Sequence, residues 1–250
     1  MKILLQSLVF NFSLIILVLG QDNYQKIAVS NDIEIIRISA HSYVHITYSE
    51  MQPFKRMASN GFIFVNKGKA FLFDSPANDS LTKNLVTWIQ DSLKTQLVGF
   101  VPNHWHVDCM GGLNYLQSIG IESYANELTR EIAKEKNLPV PDHSFKDSLL
   151  LDLEGEKILC KFYGAAHSLD NIVIWIPSEK VLFGGCMVKC IPATNLGNTA
   201  DGDLNQYPVT IKKVLYDYPD AKIVIPGHGP FGGIELLKHT LDLSSKIKIN

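Results

Sequence analysis

Apolar residues recur along the chain with two periods, and each switch between them marks a new element. Residues 33–38 and 43–48 alternate and are rich in β-branched and aromatic side chains, which predicts two strands. Residues 62–65 and 70–73 flank Asn66-Lys67-Gly68-Lys69, a hairpin turn containing glycine. Asn78 or Asp79 then caps a helix in which Leu81, Leu85, Trp88, Ile89 and Leu93 return at helical spacing. A short apolar strand at 97–101 runs straight into Pro102, Gly111-Gly112 opens a helix carrying Leu113 and Leu116, and 126–136 reads as a second, charged helix. After Pro139 and Pro141, strands are expected at 157–163, 172–176, 181–183 and 222–225, with helices at 208–216 and 235–247. The order is strands and helix, then strands and helix again, with no linker between the halves. One four-layer α/β domain is the simplest way to bury such a pattern.

Composition narrows the class. With 46% apolar and 19% charged residues the chain has a core to build and is not disordered. The formal charge of −2 leaves no basic excess for nucleic acid. Residues 1–20 differ from the rest: Lys2 is the one charge, the following residues are mostly apolar but spotted with Gln6, Ser7, Asn11 and Ser13, and Gly20 precedes Gln21. That stretch is short and polar for a membrane span, so it predicts a secretory signal peptide, with 21–250 as a single exported domain. A periplasmic monomer without a membrane span in its mature chain is expected. Cys109, Cys160, Cys186 and Cys190 fall in one half of a large chain, which is not the pattern of a disulfide framework. Cys160 lies in an apolar strand-like run and reads as a buried inert thiol. A reduced thiol in an exported protein is easier to explain if a metal holds it.

The polar residues follow the strands. His104, His106 and Asp108 follow the 97–101 strand, His167 follows 157–163, Cys186 follows 181–183, and His228 follows 222–225. Glycines mark most of these strand ends, where ligand-binding loops gather in α/β folds. If the 104–108 segment is extended, residues at i, i+2 and i+4 share one side and point into one site. His104, His106 and His167 would make a Zn²⁺ site with an open fourth position, which lowers the pKa of a bound water toward about 7. Asp108, Cys186 and His228 offer oxygen, thiolate and nitrogen, a set suited to a second Zn²⁺ rather than magnesium or calcium. Two such ions would share a hydroxide.

These residues, in this order over nearly the whole mature chain and together with Phe73-Asp74-Ser75-Pro76, resemble the metallo-β-lactamases, in the dizinc group with three His at one site and Asp, Cys and His at the other. Asn103 to Gly112, Tyr115-Leu116-Gln117 and Leu182 to Lys189 are similar in particular to the Bacteroides-type secreted carbapenemases. The resemblance implies an αβ/βα sandwich with two Zn²⁺ at one edge. It also implies hydrolysis of the β-lactam amide of penicillins, cephalosporins and carbapenems, and so antibiotic resistance. It carries a substrate-binding role to Lys189 and an oxyanion role to Asn198, and Asp108 is expected to orient the attacking hydroxide. His-x-His-x-Asp alone would indicate only the wider superfamily. Thioesterases and nucleases of that superfamily carry a second His where this chain has Cys109, and a bridging Asp where it has Cys186.

Other residues read more plainly. Asp74 is expected to order the site's backbone, and Cys109 and Cys190 to be spectators. His41, His45, His143 and His239 lack a glycine-marked strand end. Trp105 should face away from its neighbours by alternation and serve packing. The family's mobile flap would fall near 48–60, where the sequence is charged and lacks Trp, leaving Phe54 and Met57 as apolar cover. Ser80-Leu-Thr-Lys83 matches the Ser-x-x-Lys of serine β-lactamases, but its Ser-Asp-Asn and Lys-Thr-Gly companions are missing. A lactone or thioester hydrolase on the same scaffold, or a zinc-binding protein without catalysis, are the alternatives to β-lactam hydrolysis.

Overall fold

The computed structural model describes residues 24–51 and 55–246. The expected signal peptide, Phe54 and Ile247 therefore lie outside the described residues. The alternating stretch that opens the domain forms a meander of β1 (Lys26–Ser30), β2 (Ile33–Arg37), β3 (Ser42–Met51), β4 (Lys55–Asn66) and β5 (Lys69–Phe73). Helix α1 (Asp79–Ser92) then crosses over to place β6 (Gln96–Val101) parallel to β5, since parallel neighbours need a crossover. Asn78 caps α1 by accepting from the Leu81 N–H at 2.9 Å.

After α2 (Val107–Met110) and α3 (Leu113–Ser118) comes a small parallel pair, β7 (Tyr124–Asn126) and β8 (His143–Phe145), which brackets α4 (Glu127–Glu135). The second sheet contains β9 (Ser148–Leu153), β10 (Glu156–Phe162), β11 (Ile172–Ile176), β12 (Val181–Gly185) and β13 (Ile223–Pro226), in the order β13-β12-β11-β10-β9. Helix α5 (Tyr207–Asp217) makes the parallel β12–β13 crossover, and α6 (Glu235–Ser245) closes the described chain.

The inner strands are buried on both faces, which is why β4 and β5 read as continuous apolar runs rather than clean alternation. Alternate residues of β4 and β5 point opposite ways. Phe62, Phe64, Phe71 and Phe73 meet Ile158, Ile174, Phe183 and Ile225 between the sheets. Ile63 and Leu72 meet Leu85 and Ile89 of α1 and Leu113 and Leu116 of α3 on the outside. Val173, Leu182 and Val224 of the second sheet pack on Tyr207, Ile211 and Val214 of α5 and Leu236 and Leu237 of α6. The result is the expected helix–sheet–sheet–helix order. Four strands exceed the expectation: β7 and β8 are short, β1 alternates only between exposed and half-buried positions, and β9 is an edge strand that leaves Leu150 exposed.

The loops after β6, β10, β12 and β13 come together at one edge of this sandwich, and specific bonds hold them there. Asn103 joins the sheets, accepting the Ile172 N–H at its carbonyl (2.9 Å) and donating its side-chain amide to the Ile172 carbonyl. Asn60 in β4 donates to the carbonyls of Pro226 and Gly229, both at 2.8 Å, and ties the His228 loop to the first sheet.

Candidate metal centre

The six expected donors meet at the sheet edge. His104 Nε2 lies 2.8 Å from His106 Nδ1, and His167 Nε2 lies 3.3 Å from the same nitrogen. The three rings stand at 71°, 89° and 87° to one another, so their lone pairs converge on a shared point instead of stacking. Next to them, Cys186 Sγ is 3.3 Å from His228 Nε2 and 3.7 Å from Asp108 Oδ2, and His228 Nε2 is 3.2 Å from that carboxylate oxygen. Donor atoms of His104, His167 and Cys186, of His104, His106 and Asp108, and of Asp108, Cys109 and Cys186 each fall within 4.8 Å of one another, so the two groups are contiguous.

The route by which the sequence reaches this geometry differs from an extended His-x-His-x-Asp segment. Residues 103–106 bend, His106 is the N-cap of α2, and Asp108 sits on that helical turn. A turn replaces the strand because the chain must swing from β6 into α3 within a few residues. Glycines make room for the donors: a Cβ on Gly227 would lie 2.4 Å from Cys186 Sγ, and Gly185 has φ +55° against the Asn103 side chain.

Each imidazole has its outward nitrogen engaged, except one. His228 Nδ1 lies 2.8 Å from the Ala58 carbonyl, and His104 Nδ1 lies 3.2 Å from Asn103 Oδ1. His106 Nε2 lies 3.1 Å from Asp201 Oδ2, the arrangement that fixes a ligating imidazole's tautomer. His167 Nδ1 is buried without a partner among the described residues. Asp201 carries no local sequence signal; it lies three residues beyond Asn198 in a loop and acts only across space.

Electrostatics separate the two groups. Burial, helped by neighbouring imidazoles, lowers His104 to about 3 and pushes His167 down as well, so both present lone pairs at neutral pH. Cys186 falls to about 6, chiefly through the neighbouring Cys109 thiol and against its own burial, with further help from His228. Burial opposes the ionised form of Asp108, but the His228 hydrogen bond and charge hold it below the usual carboxylate range. His228 is buried too, yet the Cys186 and Asp108 charges raise it well above its ordinary value. A carboxylate and a thiolate thus compete for one proton on His228. This oxygen, sulfur and nitrogen set suits zinc, and so do the three imidazoles beside it.

The centre opens into a cavity of about 460 Å³ whose walls include Met57, Trp105, Lys189 and Asn198. Lys189 donates from Nζ to the Cys186 carbonyl at 2.7 Å, and its burial lowers its pKa. Asn198 accepts the Ala200 N–H at Oδ1 (3.1 Å), so it stabilises its turn and also faces the cavity. Trp105 corrects its expectation: the bends at 103–106 break the alternation, and its ring joins the cavity wall with its centroid 4.6 Å from that of His106. Cys109 also stands closer to the centre than expected, with its Sγ 3.3 Å from His104 Nδ1 and within 4.8 Å of Cys186 Sγ. Asp74 orders the backbone as expected, accepting the Asn103 N–H from a left-handed φ of 56°. Cys160 is buried in β10, and Ser80 and Lys83 are exposed on the first turns of α1, outside the cavity wall.

No family model matches the chain. Comparison with curated proteins finds a metallo-β-lactamase type 2 of Bacteroides fragilis, 46% identical over 216 residues that cover 86% of this chain and 87% of the relative. A metallo-β-lactamase type 2 of Bacillus cereus is 34% identical over 84% of this chain and 82% of the relative. Among solved structures, a metallo-β-lactamase from Pontibacter korlensis superposes with a TM-score of 0.83 at 38% identity, over 86% of this chain and 100% of that one. Identity of this level over most of both chains, on a shared fold with the convergent donors above, shows that the chain belongs to the class B metallo-β-lactamases.

Proposed function

We propose that this chain is a zinc-dependent hydrolase that opens the amide ring of penicillins, cephalosporins and carbapenems and so protects its host from these drugs. The observation that carries the reading is the meeting of three imidazole nitrogens with an Asp–Cys–His group at the floor of a cavity walled by Lys189 and Asn198. In this reading His104, His106 and His167 hold one zinc, and Asp108, Cys186 and His228 hold a second. Zinc, when bound, supplies Lewis acidity and lowers the pKa of water to about 7.

The chain's own residues do the rest. Lys189 sits beside the centre with an ammonium suited to a substrate carboxylate. Asn198 has its Oδ1 turned to the Ala200 N–H, which leaves the amide NH₂ end to donate to the lactam carbonyl oxygen as charge develops there. Ionised Asp108 accepts a hydrogen bond from the attacking water and orients it toward the carbonyl carbon. Trp105 and Met57 give the mouth apolar walls that exclude bulk water. No serine hydroxyl lines the cavity among the described residues, so the pathway needs no acyl-enzyme.

Residues 1–20 act as a signal peptide in this reading, and 21–250 form one periplasmic, monomeric domain. No helix among the described residues is long and apolar enough to cross a membrane. The test is to express the full-length chain in a sensitive bacterium and follow imipenem hydrolysis in periplasmic extract. Activity should vanish with EDTA, return with zinc and ignore serine-directed inhibitors. Turnover that survives excess chelator would overturn the metal reading, and turnover of a thioester in place of any β-lactam would overturn the substrate.

A further inference from the structure

Asp170 is fully buried, three residues after His167, and plays no part in the chemistry described so far. Its Oδ2 accepts two hydrogen bonds, from the Trp105 N–H at 2.9 Å and from Thr129 Oγ1 at 2.7 Å. Its Oδ1 accepts the Ser168 hydroxyl. Trp105 stands between His104 and His106, Ser168 follows His167, and Thr129 belongs to α4, so one carboxylate joins both segments that supply the three imidazoles and fastens them to a helix. Helix α4 reaches Trp105 a second time, through Lys136 at its C-cap, whose Nζ lies 4.3 Å from the centre of the indole ring. Trp105 is therefore held at its backbone through Asp170 and at its ring by Lys136, and α4 is itself anchored where Asn126 donates to the Lys146 carbonyl at 2.7 Å.

The geometry points to Asp170 as a positioning residue that, with Thr129 of α4 behind it, sets the spacing of the His104–His106 segment against His167. The bends at 103–106 lack the ladder bonds of a strand, so the direction of the His104 and His106 side chains depends on what holds the peptide between them. The Trp105 N–H to Asp170 bond is that hold, and the shared carboxylate makes the His167 loop move with it. The inference rests on the zinc reading of the site, because its consequence is an imidazole triad set in advance for a metal.

The test measures metal binding without any β-lactam, so a protein that binds zinc but hydrolyses nothing would sink the functional reading and leave this one intact. Zinc affinity is measured by competition with a chromophoric chelator, and the imidazole and thiolate sites are told apart by the spectra of the Co²⁺-substituted protein. Asp170→Ala should weaken the imidazole site about 10–100-fold, the range for losing a partner that orients a ligand, and alter its Co²⁺ d–d bands while leaving the Cys186-to-cobalt charge-transfer band in place. Asp170→Asn keeps an oxygen for Trp105 and Thr129 and an NH₂ that Ser168 can accept, so it should stay within about threefold of the parent chain, well short of that range. Thr129→Val should give an intermediate loss and covers the case in which Asp170→Ala does not fold. Unchanged zinc affinity in folded Asp170→Ala or in Thr129→Val would overturn the inference. Equal loss at both metal sites, or an Asn variant as weak as Ala, would reduce Asp170 to a general support of the fold and overturn it too.

Discussion

The two donor groups lie side by side at one sheet edge but differ in charge before any ion is considered. In the imidazole group, burial keeps His104 and His167 neutral, and its nitrogens converge with nothing between them to share. In the Asp–Cys–His group, a carboxylate and a thiolate surround a protonated His228 that offsets one of their two negative charges. The first group is set for a cation by shape, the second by charge. A metal entering the second must displace a proton, whereas the first asks for little more than its lone pairs.

Breaking the second group alone gives the largest effect. Cys186→Ser replaces a thiolate with an alcohol, a far poorer zinc ligand, and should weaken one of two zinc equivalents by more than about 100-fold, since even outer partners of ligands are worth 10–100-fold. Chelator competition checks this, and the other equivalent should stay bound. The same site should weaken as pH falls through the raised pKa of His228, whose proton the metal must displace, and more steeply below about 6, where the Cys186 thiolate takes up a second proton. Both protons compete with the metal, so affinity is gained as pH rises and lost as it falls, while the imidazole group follows a different curve because His104 stays neutral down to about 3.

Lys189→Ala comes next. It removes the charge expected to pair with the substrate carboxylate without removing a donor of either metal group, so KM should rise about tenfold with kcat changed less, in line with about 1.5 kcal/mol for a bond to a charged group. Steady-state kinetics on a carboxylate-bearing β-lactam check it, and an unchanged KM would assign the lysine to its Cys186 carbonyl bond alone.

Asp201→Ala should be the smallest. Its carboxylate is 38% exposed, so the loss of its hold on His106 should weaken the imidazole group by a few-fold to about tenfold, at the lower end for such partners. Cobalt d–d bands should shift while the thiolate band does not.

The sequence carried the donors and most of the frame because both are written locally. A metal-capable side chain directly after an apolar run and beside a glycine needs no tertiary knowledge, and Asn78 before Leu81, Leu85 and Ile89 is a helix start by its own chemistry. What escaped is what acts across space. Asp201 and Asp170 lie in polar loops and matter only because folding brings them to His106 and to Trp105. Asp108 reaches the other donors because the segment bends into α2, not because it stays extended. Strand β1 has half-exposed alternation too weak to stand out, and β9 exposes Leu150 at a sheet edge, so neither shows the buried pattern that revealed β11 and β12.

The contrast between the two groups is tested most directly by titrating zinc into reduced, metal-free protein at pH 7 in dilute buffer, with bound metal and released protons followed together. The account predicts two zincs per chain, with the step at the Asp–Cys–His group releasing about one proton more than the step at the imidazole group, as expected when a ligand must be deprotonated, over and above any proton lost by bound water. Saturation at a single zinc with Cys186 intact, or equal proton release in both steps, would contradict it.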